Sequence, residues 1–199
     1  MKKLKCLYRA YVDFKKHAAM CKNRLKNSEE KDVSDHWKDQ LASLNAQIKK
    51  IIQQIIKIIK ADKDLSLAYK NLQTMPGIAQ ISAIAVLAEV QDASQFQSAR
   101  QLACYVGVTP RHKKSGTSVK GKPKMSKIGN SVLRKALYLP AITSMTKCKS
   151  MKRFKQRQKS KGKATKQVII AIMKKMIHAI YAILKKGSTF NENLLFKNA

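Results

Sequence analysis

The stretch WKDQLASLNAQIKKIIQQIIKI, residues 37–58, sets its large apolar side chains at Trp37, Leu41, Leu44, Ile48, Ile51, Ile55 and Ile58. Steps of four and three alternate, which puts all seven on one stripe of an α-helix and fits no strand. The same alternation runs through Leu4, Leu7, Tyr11, Phe14, Ala18, Cys21 and Leu25. Both are a/d heptad seams. Between them lies the polar, turn-compatible run from Asn27 to Asp32, followed by Ser34 as helix N-cap and Asp35 in the first turn. The pattern predicts a long helical hairpin, a coiled-coil arm over residues 1–71. Ile52, Ile56 and Ile59 widen the second stripe beyond a two-helix seam. Two readings stay open: a hairpin closed on itself, and an arm that also pairs with a second copy of the chain as a homo-oligomer.

Beyond the arm the periodicity stays helical, and the fold class expected is all-α. Met75-Pro76-Gly77-Ile78-Ala79 breaks the pattern, and an apolar helix follows over Ile81–Val90, ended by Asp92. A further helix covers Ser98–Val106, with Gly107 as its C-terminal stop. Gly129-Asn130 opens a helix from Ser131 to about Cys148, kinked at Pro140. A basic segment, Lys147–Lys166, precedes a last helix that buries Ile169, Met173, Met176, Ile180 and Leu184. A compact helical domain over 72–190 and a tail over 191–199 complete the expected organisation.

The chain has 199 residues and a formal net charge of +31. With 44% apolar residues it has enough to form a core, so the charge coats a fold rather than a disordered tail. From Ala93 to Phe190 there is no Asp or Glu, against two dozen Lys and Arg. A solvated face mixes signs, and a single-sign stretch of this length needs a polyanion to offset its self-repulsion. Nucleic acid is the polyanion that fits. Four cysteines without CxxC spacing read as reduced thiols, and no metal site is expected. No run has the length and apolarity of a membrane span, Lys174 and Lys175 interrupting the late one, and no signal peptide is recognised. The address expected is cytoplasmic.

Two elements carry candidate chemistry. The Met75–Ala79 turn resembles a helix-hairpin-helix element, in which a glycine turn lets backbone N–H groups at Gly77 and Ile78 meet a phosphate. The basic loop RHKKSGTSVKGKPKMSK, residues 111–127, is a loop or hairpin too polar to pack. Its Arg111, Lys113, Lys114, Lys120, Lys122, Lys124 and Lys127 are candidate phosphate contacts. Tyr105 and His112 flank it as possible stacking partners, with Tyr105 also readable as a core residue. Ser115 lies among these cations, which would stabilise a developing phosphorane charge during attack on a phosphodiester. Ser118 and Ser126 compete on composition alone. No cluster of carboxylates for two-metal phosphoryl transfer is visible.

The blocks TMPGIAQISAIAVLAEV, FQSARQLACYVGVTPRHKKSG and KMSKIGNSVLRKALY, with the closing GKATKQVIIAIMKKMIHAIYAIL, resemble the C-terminal domain of the IS-110, IS-116 and IS-902 transposase family. The likeness covers about residues 72–190, and the heptad arm resembles the family's linking coiled coil. The resemblance implies a part in DNA transposition and recombination of an insertion sequence, with DNA as partner. It also implies a structured guide RNA in some members. It places the DNA-attacking serine on Ser115, with Ser126 as fallback, and Arg134 beside the phosphate. The family's metal-binding acids lie in an N-terminal RuvC-like domain that implies Mg2+. That domain is not found in this chain, so the expectation is a truncated frame without a cofactor of its own, not cleaving DNA alone. The alternative is a non-catalytic nucleic-acid-binding protein, such as a nucleoid or RNA-binding factor.

Overall fold

The computed structural model describes residues 1–115 and 119–195, with the backbone alone for 111–115, 119–124 and 194. Among the described residues, eight α-helices and one two-stranded sheet form two compact units, Met1–Ser66 and Leu67–Ala199.

The first unit is an antiparallel pair, α1 (Lys2–Lys26) and α2 (Lys31–Ala61). Near the turn, Ala18, Cys21, Leu44 and Ile48 form a buried cluster, flanked by Tyr11, Phe14, Trp37, Leu41 and Ile52. Arg24 stacks 4.7 Å from the Trp37 ring centroid and shields its open side. The heptad seams need two adjustments. Tyr8, not Leu7, is buried in α1, and α2 buries Leu44, Ile48, Ile51, Ile55 and Ile59, with Ile58 only partly covered. A straight helix turns every 3.6 residues, so a strict 3.5 repeat drifts off the contact line and a step of four restores it. Nor does Ser34 cap α2. The helix starts at Lys31 with Glu30 as N-cap, because nothing between them breaks it and Asp32 favours its positive end.

A third helix, α3 (Lys63–Gln73), starts where the Asp62 carboxylate accepts from the N–H groups of Asp64 and Leu65, both at 3.0 Å. In the second unit α4 (Gln80–Val90) is the central element, buried at every position from Ser82 to Val90. A helix apolar on all sides needs cover on all sides. Around the same core stand α5 (Ala99–Val106), α6 (Ser131–Lys147), α7 (Lys149–Ser160) and α8 (Thr165–Lys186). The expected bounds of α5 and α6 hold: Ser98 and Asn130 accept from the first-turn N–H groups of Gln101 and Leu133, and Gly107 closes α5 in the left-handed conformation. The basic segment 147–166 contains the helix α7, which buries only Met151.

Among the described residues α8 alone is long and apolar enough to cross a membrane, with a mean hydropathy of 1.6. Its burial accounts for that composition: Val168, Ile169, Ile172, Met173, Met176, Ile177, Ile180 and Ile183 lie in the core, whereas Leu184 is only partly covered. Tyr181 donates to the Phe96 carbonyl at 3.0 Å. Burial, then Lys174 and Lys175, lowers the His178 pKa. The unfolded chain therefore binds the His178 proton at a higher pH than the folded one. Stability of this unit should fall as pH drops through about 6.5. Denaturant unfolding between pH 8 and 5 should show that loss in the wild type and a smaller one in His178→Leu.

Candidate functional site

Strands β1 (Pro110–Ser115) and β2 (Val119–Met125) form an antiparallel hairpin, one of the two forms expected of the basic loop. Its register opposes Pro110 to Met125, Arg111 to Lys124, Lys113 to Gly121, Lys114 to Lys120 and Ser115 to Val119. Between the second and third pairs β2 carries one extra residue, beside Pro123, which has no N–H to give the ladder. Two of the five pairs oppose cation to cation. Like charges directly across a ladder destabilise it. The hairpin is thus built from residues that repel across it, a repulsion that an external anion would relieve.

Ser115 ends β1, next to the connection at 116–118. Gly116 and Ser118 lie outside the described residues, as do the side chains of Arg111, His112, Lys113, Lys114, Ser115, Lys120, Lys122 and Lys124. Ser126 sits at the opposite end, where its N–H donates to the Thr109 carbonyl at 2.9 Å. Five residues of strand separate the two serines' ends, roughly 16 Å at strand rise. They stand too far apart to serve one phosphate.

The root of the hairpin is clamped between α5 and α6. Asn130 donates its N–H to the Tyr105 carbonyl at 2.7 Å. Gly129 lies so close that a Cβ there would stand 2.3 Å from the same carbonyl oxygen. At Gly107 a Cβ would stand 2.5 Å from the Ile128 carbonyl oxygen and 2.6 Å from Arg134 Nη1. Both glycines are required by backbone approach, not by turn flexibility alone. Arg134 spends Nη1 on the Val106 carbonyl at 2.8 Å, at the C-terminus of α5 where a cation is favoured. Lys127 is exposed, with a φ of +56° that few non-glycine residues adopt.

Beneath this clamp lies a buried polar network absent from the sequence reading. Glu89, 2% exposed, accepts from Asn130 Nδ2 at 2.6 Å through its carboxylate and from the Tyr105 hydroxyl at 3.2 Å through its carbonyl. Asn130 also donates to the Tyr105 hydroxyl at 3.0 Å. The Tyr105 hydroxyl is thus engaged, and its half-buried ring lies 5.4 Å from that of Phe96, which favours the packing role over stacking on a base. The only available sequence signal was one acid inside an otherwise apolar helix. Asn130→Ala removes both the α6 cap and a donor to a buried carboxylate. It should cost about 2–4 kcal/mol, read by denaturant unfolding. Among the described residues no three His, Cys, Asp or Glu are placed to hold a metal ion, and Glu89 is engaged by an amide. The donor set does not fit the Mg2+ that the family's acidic domain implies.

The Met75–Ala79 turn is placed differently from expectation. Ile78 is a core residue, and its N–H is donated to the Met75 carbonyl at 3.0 Å. Gly77, at φ +94°, abuts α6, where a Cβ would stand 2.4 Å from the Pro140 carbonyl oxygen. Packing against α6 accounts for this glycine. The next N–H, that of Ala79, goes to the Ser82 hydroxyl at 3.0 Å. The phosphate-facing amides expected at Gly77 and Ile78 are thus corrected, for Ile78, to a closed turn.

Residues 69–158 match the model of the IS116/IS110/IS902 transposase family. The pilin gene-inverting protein of Moraxella lacunata is 34% identical over 160 residues, 80% of this chain and 48% of that protein. An insertion element IS110 protein of 43.6 kDa from Streptomyces coelicolor is 30% identical over 62% of this chain and 30% of its own length. A probable family 20 transposase of Pseudomonas aeruginosa is 28% identical over 77% of this chain and 45% of its length. The chain spans about half the length, or less, of these relatives.

Proposed function

We propose, since the chain belongs to the IS116/IS110/IS902 transposase family, that its basic hairpin grips DNA during transposition or a related rearrangement such as gene inversion. The observation that carries this reading is the like-charged ladder, Arg111 against Lys124 and Lys114 against Lys120, within an acid-free stretch. Phosphates along a DNA backbone relieve that repulsion and contribute the larger part of sequence-independent affinity. Lys127 and Arg134 extend the contact at the hairpin root. A structured guide RNA would meet the same surface.

Ser115 is the nucleophile in this reading. Its Oγ bonds to phosphorus, a deoxyribose oxygen leaves with the serine proton, and a phosphoserine link results. The metal-binding acids that activate such a step would come from outside these residues. Nicked duplex incubated with this chain and Mg2+ should therefore give no covalent adduct on a denaturing gel, while Ser115→Ala leaves DNA affinity within about twofold. An adduct lost in Ser115→Ala would overturn that division of labour. One lost in Ser126→Ala would overturn the choice of serine.

The arm is the oligomerising element in this reading. Ile52 and Ile56 stay partly exposed along α2, on a stripe wider than α1 covers. The place of action is the cytoplasm, where an insertion sequence's DNA lies.

A further inference from the structure

A groove of about 490 Å³ opens between the hairpin root and the turn from α7 to α8. Its floor is apolar: Pro110 and Met125 come from the root, Ile170 and Ala171 from one face of α8, and none of them is buried. Its rim is cationic, with Lys163 and Lys166 exposed and Lys174 half-buried. Gln158 adds an amide able both to donate and to accept. The face of α7 leading to it carries the exposed cations Lys152, Arg153 and Arg157.

Duplex DNA does not fill such a site. A duplex presents phosphates outward and keeps its base faces stacked on one another, so an apolar floor is left uncovered. An unstacked base offers a flat face for apolar side chains, and its flanking phosphates meet the cations. The volume lies in the range of sites that enclose one small ligand. A second copy of this chain fits poorly, since three lysines would meet a surface equally rich in cations. Resting on the proposed DNA grip, we infer that the groove holds an unpaired nucleotide of the DNA strand next to the hairpin.

Binding of the full chain to two fluorescent DNAs, at one salt concentration, tests this. One is a blunt duplex and the other the same duplex with a five-nucleotide overhang. The wild type should bind the overhang form about tenfold more tightly. Ala171→Phe fills the groove and should abolish the preference while leaving blunt-duplex affinity within about twofold. The double variant Lys163→Ala, Lys166→Ala alters two exposed side chains and should also weaken the preference. Equal binding of the two DNAs by the wild type overturns the inference while the salt-dependent grip on the blunt duplex stands. So does a preference that survives both variants. Absence of salt-dependent binding to either DNA overturns the grip and the groove together.

Discussion

Gly129→Ala lowers the stability of the Leu67–Ala199 unit by roughly 3 kcal/mol or more, whereas Gly162→Ala costs about 1 kcal/mol. Both glycines have positive φ, +127° and +71°, so both substitutions carry backbone strain. Surroundings separate them. A Cβ at Gly129 meets the Tyr105 carbonyl oxygen at 2.3 Å, the Tyr105 carbonyl carbon at 3.0 Å and the Cys104 carbonyl oxygen at 3.1 Å. All three are backbone atoms of α5, which no rotamer change can move aside. A Cβ at Gly162 meets nothing within 4 Å. Relief at Gly129 requires α5 and the hairpin root to separate, which lengthens the Asn130–Tyr105 backbone bond and loosens the Glu89 network. Chemical denaturation of the two variants should show the large loss at Gly129 and the small one at Gly162. Equal losses would mean that the root is not clamped. The Gly129 variant should also bind DNA less well, because the hairpin then leaves a movable base.

Local rules made much of this architecture legible. The four-three spacing of apolar residues from Leu4 to Ile58 placed both arm helices, because a buried stripe repeats with the helix itself. Gly107 and Asn130 marked helix ends because each satisfies groups within its own first or last turn. The failures have a common cause. Tyr8 and Ile59 replace Leu7 and Ile58 because the contact line follows two helices and not one repeat. The α7 helix looked like a basic segment because packing demands so little of it, with Met151 alone buried. Gly77 read as an anion-binding turn, and its partner is Pro140, 63 residues on. Glu89 finds Asn130 41 residues away, and no local spacing encodes that pair. Ser115 was singled out by the family resemblance and not by the cations around it, and the backbone register adds its place at the end of β1.

Replacing Arg111, Lys113, Lys114, Lys120, Lys122 and Lys124 by glutamine should weaken duplex binding at least a hundredfold near 0.1 M salt, at ~0.9 of slope per lost phosphate contact. Glutamine keeps an uncharged polar side chain only one or two atoms shorter, so the ladder remains and its cross-strand repulsion goes. The hairpin should be no less stable for the change. Net charge alone would predict the same loss from any six cations. The proper control neutralises six exposed lysines of the arm: Lys2, Lys3, Lys15, Lys16, Lys22 and Lys49. If position decides, the arm variant keeps affinity within about tenfold of wild type.

The salt dependence of duplex affinity for these three proteins is the most direct test. Plotted as log K against log salt, the wild-type slope should be steep and negative. The hairpin variant should be shallower by about 5, and the arm variant by less than about 2. Equal flattening by the two variants, or a wild-type affinity that barely responds to salt, would contradict the account.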